Sequence, residues 1–343
     1  MTKLVLHKIC LIVFYFFSCS TLQGNCQPIN NSAQSTNPLP SQLTFDYVEL
    51  EGIGHEKGCT RRDPSDIILV DQTYYVYYTK VYGQSPGYWG TIWCAFSTDG
   101  GYSWTEVGEV LGKGEKGQFD HQATFTPNII KAEDKYYLFY TGVKPTPGRS
   151  DEVFENNSVS DFTAIGLAQS SSPKGPFIRV SKDPILKVSD DAEQFDSYRI
   201  DDASILFREA KYWLYYKGRS ITHGVEGPRK TKMGVAFAKG VDGPYKKHGK
   251  PILDKSHEVL IWPVNDGVAA LASFSSTIEF APDGIDFLTN RKELKVQNRP
   301  SAPGAFRPEL TQLSPADQGI EWGISMIHNG KESYLIRYNI NYK

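Results

Sequence analysis

One strand pattern recurs along the chain and leaves few folds open to it. A polar turn leads into alternating tyrosine and aliphatic residues at 71–79, 134–141 and 210–217, with weaker copies at 266–271 and 330–336. The copies lie about 55–75 residues apart, at or above the upper end of propeller blade periods. Each follows a mixed apolar strand, at 64–70, 123–130, 203–207, 259–264 and 309–313. After the first four comes a further strand and then a Gly- or Asp-containing turn ending in an aromatic residue: Trp104, Phe177, Tyr245 and Phe287. Gly and Asp at those turns supply the positive backbone angles that tight hairpins need. No segment sustains a helical period. This order predicts an all-β, five-bladed β-propeller, with the early strand 44–50 completing the fifth blade and closing the ring. A β-sandwich is the competing architecture, and it does not account for so regular an order.

The 343 residues suffice for one large all-β domain, and 40% hydrophobic content supports a sizeable core. A formal net charge of −2 gives no reason to expect nucleic acid or an anionic membrane surface as partner. The 20 Tyr, 18 Phe and 6 Trp read mostly as strand and core residues. At the N-terminus, Lys3, His7 and Lys8 precede an apolar run over 9–17, the form of a secretory signal and too short to span a bilayer. The expected organisation is a signal peptide at 1–26, a polar tether at 27–43 and a propeller catalytic domain at 44–343. Two processing routes fit: lipoprotein cleavage before Cys19, which would then carry the lipid, or ordinary cleavage near Gly24. Either way the chain is expected to be exported, to the periplasm or the cell surface, touching a membrane only through a lipid at Cys19. Cys26, Cys59 and Cys94 remain, an odd number without metal-ligand spacing, so no disulfide scaffold is expected.

The first strand of each blade lines a propeller's central channel, so residues at its mouth converge whatever their separation in sequence. Those positions are polar in every blade: Arg61-Arg62-Asp63, Phe119-Asp120-His121, Arg199-Ile200-Asp201-Asp202, His257-Glu258 and Arg307. Charged groups beside a buried strand are costly unless paired or used. Five such places form a ring of carboxylate, imidazole and guanidinium groups, which suits glycoside hydrolysis. That reaction needs one carboxylate to activate water and a proton donor for the leaving oxygen. Asp63, Asp202 and Glu258 are the leading candidates, whereas Asp120 and Asp201 read as groups that hold strand ends. His257 and Glu258 can both face the pocket only if the strand starts or bulges there, because neighbours on a strand point to opposite faces. Trp262 is expected to wall the pocket. Lys217 and Arg307 are placed to meet anionic groups of a glycan, and Arg219 is expected to be a solvated surface residue. No compact ligand motif is present, so no metal or other cofactor is expected.

At these residues the sequence resembles glycoside hydrolase family 117, the α-1,3-(3,6-anhydro)-L-galactosidases that include neoagarobiose hydrolases. The resemblance runs from about Gly58 to Arg337. It rests on Arg61-Arg62-Asp63-Pro64-Ser65, Phe125-Thr126-Pro127, Phe195-Asp196-Ser197 with Asp202, His257-Glu258-Val259 with Trp262-Pro263, Phe306-Arg307-Pro308-Glu309-Leu310 and Glu321-Trp322-Gly323. It implies a five-bladed propeller and an inverting exo-hydrolase acting on red-algal galactan oligosaccharides. By the same resemblance Asp63 is the general base, Asp202 orients substrate or tunes a neighbour, and His257 is the general acid with Glu258 beside it. Arg62, His121, Lys217, Trp262 and Arg307 complete the expected substrate-binding set. Two departures stand out. Only the tether and residues 44–57 precede Arg61, whereas agar-cleaving members exchange an N-terminal helical segment between subunits, so the oligomeric state stays open. Asp201-Asp202-Ala203 replaces His-Asp-Pro in the third blade, which leaves the sugar and linkage open.

Two other functions compete: an arabinanase- or xylosidase-type glycosidase using three carboxylates, with Glu258 as acid, and a non-catalytic glycan-binding surface lipoprotein.

Overall fold

The tyrosine-rich strands form because each is buried on both faces. In Thr73–Tyr82, for example, Tyr77 and Tyr78 point to opposite sides and neither touches solvent. That is the environment inside a stack of blades, and β-branched and aromatic residues fill it well. The computed structural model describes residues 39, 43–82, 89–144, 162–254, 256–272, 274, 277–287, 294–312, 319–329 and 332–342. The signal, Cys19, Cys26 and nearly all of the tether lie outside these.

After β1 (Leu43–Glu49), the first blade comprises β2 (Cys59–Arg62) and β3 (Ile68–Val70) as a broken inner strand, then β4 (Thr73–Tyr82), β5 (Thr91–Ser97) and β6 (Thr105–Leu111). The second is β7 (Ala123–Ala132), β8 (Lys135–Lys144), β9 (Phe162–Ser170) and β10 (Ile178–Arg179). The third is β11 (Arg199–Arg208), β12 (Lys211–Arg219), β13 (Lys232–Ala238) and β14 (Lys246–Lys247), with β15 (Leu253–Asp254) also on β13. The fourth is β16 (Val259–Val264), β17 (Gly267–Ala272), β18 (Thr277–Ala281) and β19 (Leu294–Gln297). The fifth is β20 (Ser301–Ala305), β21 (Trp322–Asn329) and β22 (Glu332–Tyr342), completed by β1. The fold is a five-bladed β-propeller. As expected, the early strand closes the ring: β1 pairs antiparallel with β22, from Leu43↔Tyr342 to Glu49↔Ile336.

The fifth repeat is offset from its expected place. Residues 309–313 are not its inner strand, since Glu309–Gln312 form a short helix, and the strand beginning at Glu332 is third in its blade rather than second. The true inner strand, Ser301-Ala-Pro-Gly-Ala305, is made of small residues because it lies against the first blade. A Cβ on Gly304 would stand 1.8 Å from Ser65 O. Such a strand has no bulky alternation to announce it.

The aromatic-ended turns have a packing role. Phe177 meets Tyr77 of the first blade edge to face at 5.6 Å, and Tyr245 meets Phe139 of the second at 6.3 Å. Phe287 packs with Trp213 and Tyr215 of the third blade, and Trp104 with Trp322 and Ile324 of the fifth. Each turn thus plugs the second strand of the blade before it. Buried tyrosine hydroxyls also find partners: Tyr77 donates to Pro173 O at 2.5 Å and Tyr215 to Gly284 O at 2.9 Å.

Along the channel, the buried carboxylate of Asp66 joins several blades. It accepts from Arg307 Nη1 at 2.9 Å, Asn128 Nδ2 at 3.1 Å and the Ala305 N–H at 2.9 Å. Arg307 also donates to Glu309 at 2.7 Å. Arg307 is only 1% exposed, so it is a structural clamp, and its expected place in the substrate-binding set is corrected. Breaking one partner of a buried ion pair strands the other charge. Arg307→Ala is therefore expected to lower unfolding stability by about 3–5 kcal/mol, read as a fall in the denaturation midpoint in urea; an unchanged midpoint would refute the clamp.

Candidate active site

Four inner strands break at equivalent places. Asp63, Thr126, Asp202 and Ala302 all adopt the left-handed region, with φ of 49°, 45°, 52° and 42°. Each is followed by a proline or alanine: Pro64, Pro127, Ala203 and Pro303. Strand register shifts across 125–128, 201–204 and 301–304, and β2 gives way to β3 after Arg62. Non-glycine residues held at positive φ cost about 1–3 kcal/mol each and cluster where function demands the geometry. In the fourth blade the equivalent pair is Glu258-Val259, at the start of β16.

These breaks bring Asp63, Asp202 and Glu258 around one recess, with Thr126, Pro127 and Ala302 completing its wall. The recess is open to solvent and holds about 30 Å³ of water-accessible space beside the carboxylates. Because β16 begins at Val259, His257 precedes the strand and can approach Glu258, with Nε2 3.9 Å from Oε1. Its ring stacks on Phe274 at 4.8 Å. A larger cavity of about 420 Å³ lies at the other end of the inner strands, among Leu206, Pro263 and Leu310. Of its acids Glu209, Asp266 and Glu309, two are held by Arg208 and Arg307. No second carboxylate is left to work beside Asp266, so the candidate chemistry belongs to the smaller recess.

Cations flank the carboxylates. Arg62 Nε is 2.8 Å from Asp63, and Lys217 Nζ is 2.6 Å from Asp202 and 3.0 Å from Asp201. Arg199 meets Asp201 at 3.1 Å. Against the cost of burial, Lys217 and Arg199 hold the Asp201 carboxyl below its usual range. Burial raises Asp202, Lys217 pulls it down, and the charges of Asp201 and Glu258 push it up, leaving it above the usual range. For His257, burial and then Lys217 lower the pKa to about 3, with Arg199 and Arg62 adding and Asp201 opposing. Its imidazole is thus neutral at neutral pH.

Other expected site residues fall elsewhere. Trp262 is 3% exposed in the core with Leu260, Phe280 and Tyr338, so it is not a pocket wall. His121 lies outside the recess in the loop before β7, its Nδ1 2.9 Å from Gln118 O. Arg219 is buried, against the Tyr198 ring, rather than solvated. Asp120 is structural as expected, accepting from Tyr140 Oη at 2.9 Å and Arg179 Nε at 2.7 Å. Asp196 repeats this with Tyr216 and Lys247, so the Phe195-Asp196 motif is also structural. Ala302 and Pro303 were missed with their strand. The left-handed residue followed by proline, repeated from Asp63-Pro64 and Thr126-Pro127, is the signal that could have found them.

The glycosyl hydrolases family 43 model matches residues 59–204. No curated protein matches the chain. Among solved structures, the chain is similar to Zg3597, a family 117 glycoside hydrolase of the marine bacterium Zobellia galactanivorans. The identity is 27% and the TM-score 0.74, covering 90% of this chain and 92% of that one. An endo-arabinase from Bacteroides thetaiotaomicron shares the fold at 14% identity and TM-score 0.53, with coverage of 86% and 98%. Fructan 1-exohydrolase IIa from Cichorium intybus does so at 13% and 0.57, with coverage of 84% and 57%.

Removing the cation at Lys217 takes away the one group that pulls Asp202 down, so its proton is held to still higher pH. Lys217→Met is expected to move the acid limb of the pH–rate profile upward by about 1–3 units. A limb that stays in place or moves down would show that Asp202 does not govern it.

Proposed function

We propose that this chain, a glycoside hydrolase of the propeller type that resembles family 117, is an exo-acting enzyme releasing an α-1,3-linked 3,6-anhydrogalactose or a related sugar from red-algal galactan oligosaccharides. The observation that carries the reading is the convergence of Asp63, Asp202 and Glu258 on one solvent-open recess with room for an attacking water. The likeness to a family 117 enzyme of a marine bacterium supports the substrate class.

In this scheme the reaction inverts the anomeric centre. Asp63 accepts a proton as water attacks the anomeric carbon, the glycosidic C–O bond breaks, and a proton passes to the leaving oxygen. Glu258 is assigned as the donor, sharing with Asp202 the proton that their mutual repulsion keeps in the recess. His257 is neutral in the free enzyme, and a neutral imidazole is a poor acid, so it serves to orient Glu258 or the sugar. Asp202 orients substrate, held by Lys217. Export through the N-terminal apolar run, with a lipid at Cys19 or cleavage near Gly24, belongs to the same proposal.

The match to the family 43 model over 59–204 favours one second reading, an arabinan- or xylan-type glycosidase. Incubation with neoagaro-, carrageenan-, arabino- and xylo-oligosaccharides separates the two. Release of an anhydrogalactose of inverted anomeric form, seen by NMR of the first product, is expected. Asp63→Asn is expected to cost about 10²–10⁴-fold in rate. Glu258→Gln is expected to lose more activity than His257→Gln. Pentose release alone would replace the galactan assignment, and equal activity in Asp63→Asn would displace the proposed centre.

A further inference from the structure

The mouth of the channel carries a second concavity, on the first blade and outward from Asp63. It is a groove of about 370 Å³ walled by Tyr82, Trp89 and Trp93, with Lys80, Thr91 and Glu109 at its edges. Tyr82 is 68% exposed, the most open tyrosine among the described large hydrophobics. Its ring stands edge to face with Trp93 at 5.9 Å. Lys80 Nζ covers Trp93 at 4.0 Å while its charge is met by Glu106 at 2.6 Å. Thr91 Oγ1 accepts from Trp93 Nε1 at 3.1 Å and donates to Glu109 at 2.6 Å. Trp89 packs against Ala123, Phe125 and Val143 of the second blade.

Strand register fixes where this groove lies. Arg62, the neighbour of Asp63, pairs with Thr79, and Tyr82 is three residues farther toward the mouth. At about 3.3 Å per residue and about 4.8 Å per strand, the groove begins roughly 10–15 Å from Asp63, within reach of a short oligosaccharide. On the other side Trp89 packs on Phe125, which precedes recess-lining Thr126. The groove chemistry matches a pyranose. Aromatic faces accept its C–H surfaces, and a carboxylate and a hydroxyl at the edge accept or donate to its hydroxyls. The lysine is already neutralised, so the match is to an uncharged ring rather than a sulfated one.

We propose that this groove is a distal subsite holding an uncharged sugar ring of the glycan beyond the cleaved linkage. The inference rests on the glycosidase reading and adds that substrates longer than a disaccharide are preferred. The test uses the full chain carrying Asp63→Asn, to prevent turnover, and isothermal titration calorimetry with disaccharides and hexasaccharides of the neoagaro, arabino and xylo series. The hexasaccharide of the true substrate series is expected to bind about tenfold more tightly than its disaccharide, about 1.4 kcal/mol. Tyr82→Ala and Trp93→Ala should each remove that gain while altering disaccharide affinity less than twofold. Tyr82 is largely exposed, so its variant tests the groove even if Trp93→Ala fails to fold. A gain that survives Tyr82→Ala, or hexasaccharides that bind no better than disaccharides in every series, would overturn the subsite. A gain that depends on Tyr82 in the arabino or xylo series alone would keep the subsite and remove the galactan assignment.

Discussion

The carboxylate of Asp66 is the interaction on which the channel depends. It sits out of water, where an unpaired charge would be prohibitive, and is met by donors from the second and fifth blades, with Arg307 supplying the opposite charge. Asn128 passes the link on by accepting the Ile205 N–H of the third blade at 3.4 Å. The parallel contact of Ile67 with Phe306 runs alongside, with Ile67 N–H donating to Ala305 O at 2.7 Å. With the inner strands tied at this depth, the left-handed residues above it are held at one level. Their side chains meet because the strands beneath cannot slide.

Two classes of buried acid are distinguished by their partners. Asp120 and Asp196 each accept a tyrosine hydroxyl and a cation from the outer strand of the same blade. The first blade inverts the charges: Glu106 is on the outer strand, Arg61 is on the inner strand, and Tyr78 again donates to the carboxylate. In each of these acids one carboxylate oxygen takes both the tyrosine and the cation, which ties the strands of the blade together. Asp63 and Asp202 instead have a cation beside them and line the recess, leaving polar capacity facing the space where a substrate would sit. Lys217 occupies the second-strand place where the first two blades carry Thr79 and Thr141. Those threonines meet the neutral Thr126, through its N–H and its hydroxyl, where Lys217 meets a carboxylate.

This contrast explains which site residues could be read in advance. Asp63, Asp202 and Glu258 were legible because each stands just before the apolar stretch of its repeat. Asp63 and Asp202 lie in breaks within the inner strands, and topology then brings the three together. Arg307 fitted the position rule only against an expected strand that is a helix, and its role depended on Asp66, some 240 residues away, which no local pattern indicated. Trp262 failed for a related reason: strand alternation says that a residue faces inward or outward, not whether inward means channel or inter-blade core. The fifth blade was misplaced because its inner strand trades side-chain bulk for close backbone contact with Ser65, which erases the hydrophobic signal.

By itself, the sequence determined the number of blades, the closing role of the early strand and the three carboxylates, because these follow from a repeated alternation that is local in origin. Only the tertiary structure decided which charges are clamps and which line the recess, where the fifth inner strand runs, and that His257 is neutral. Those properties depend on burial and on partners from other blades, and the free energy of a charge is set by what surrounds it in space rather than by its neighbours along the chain.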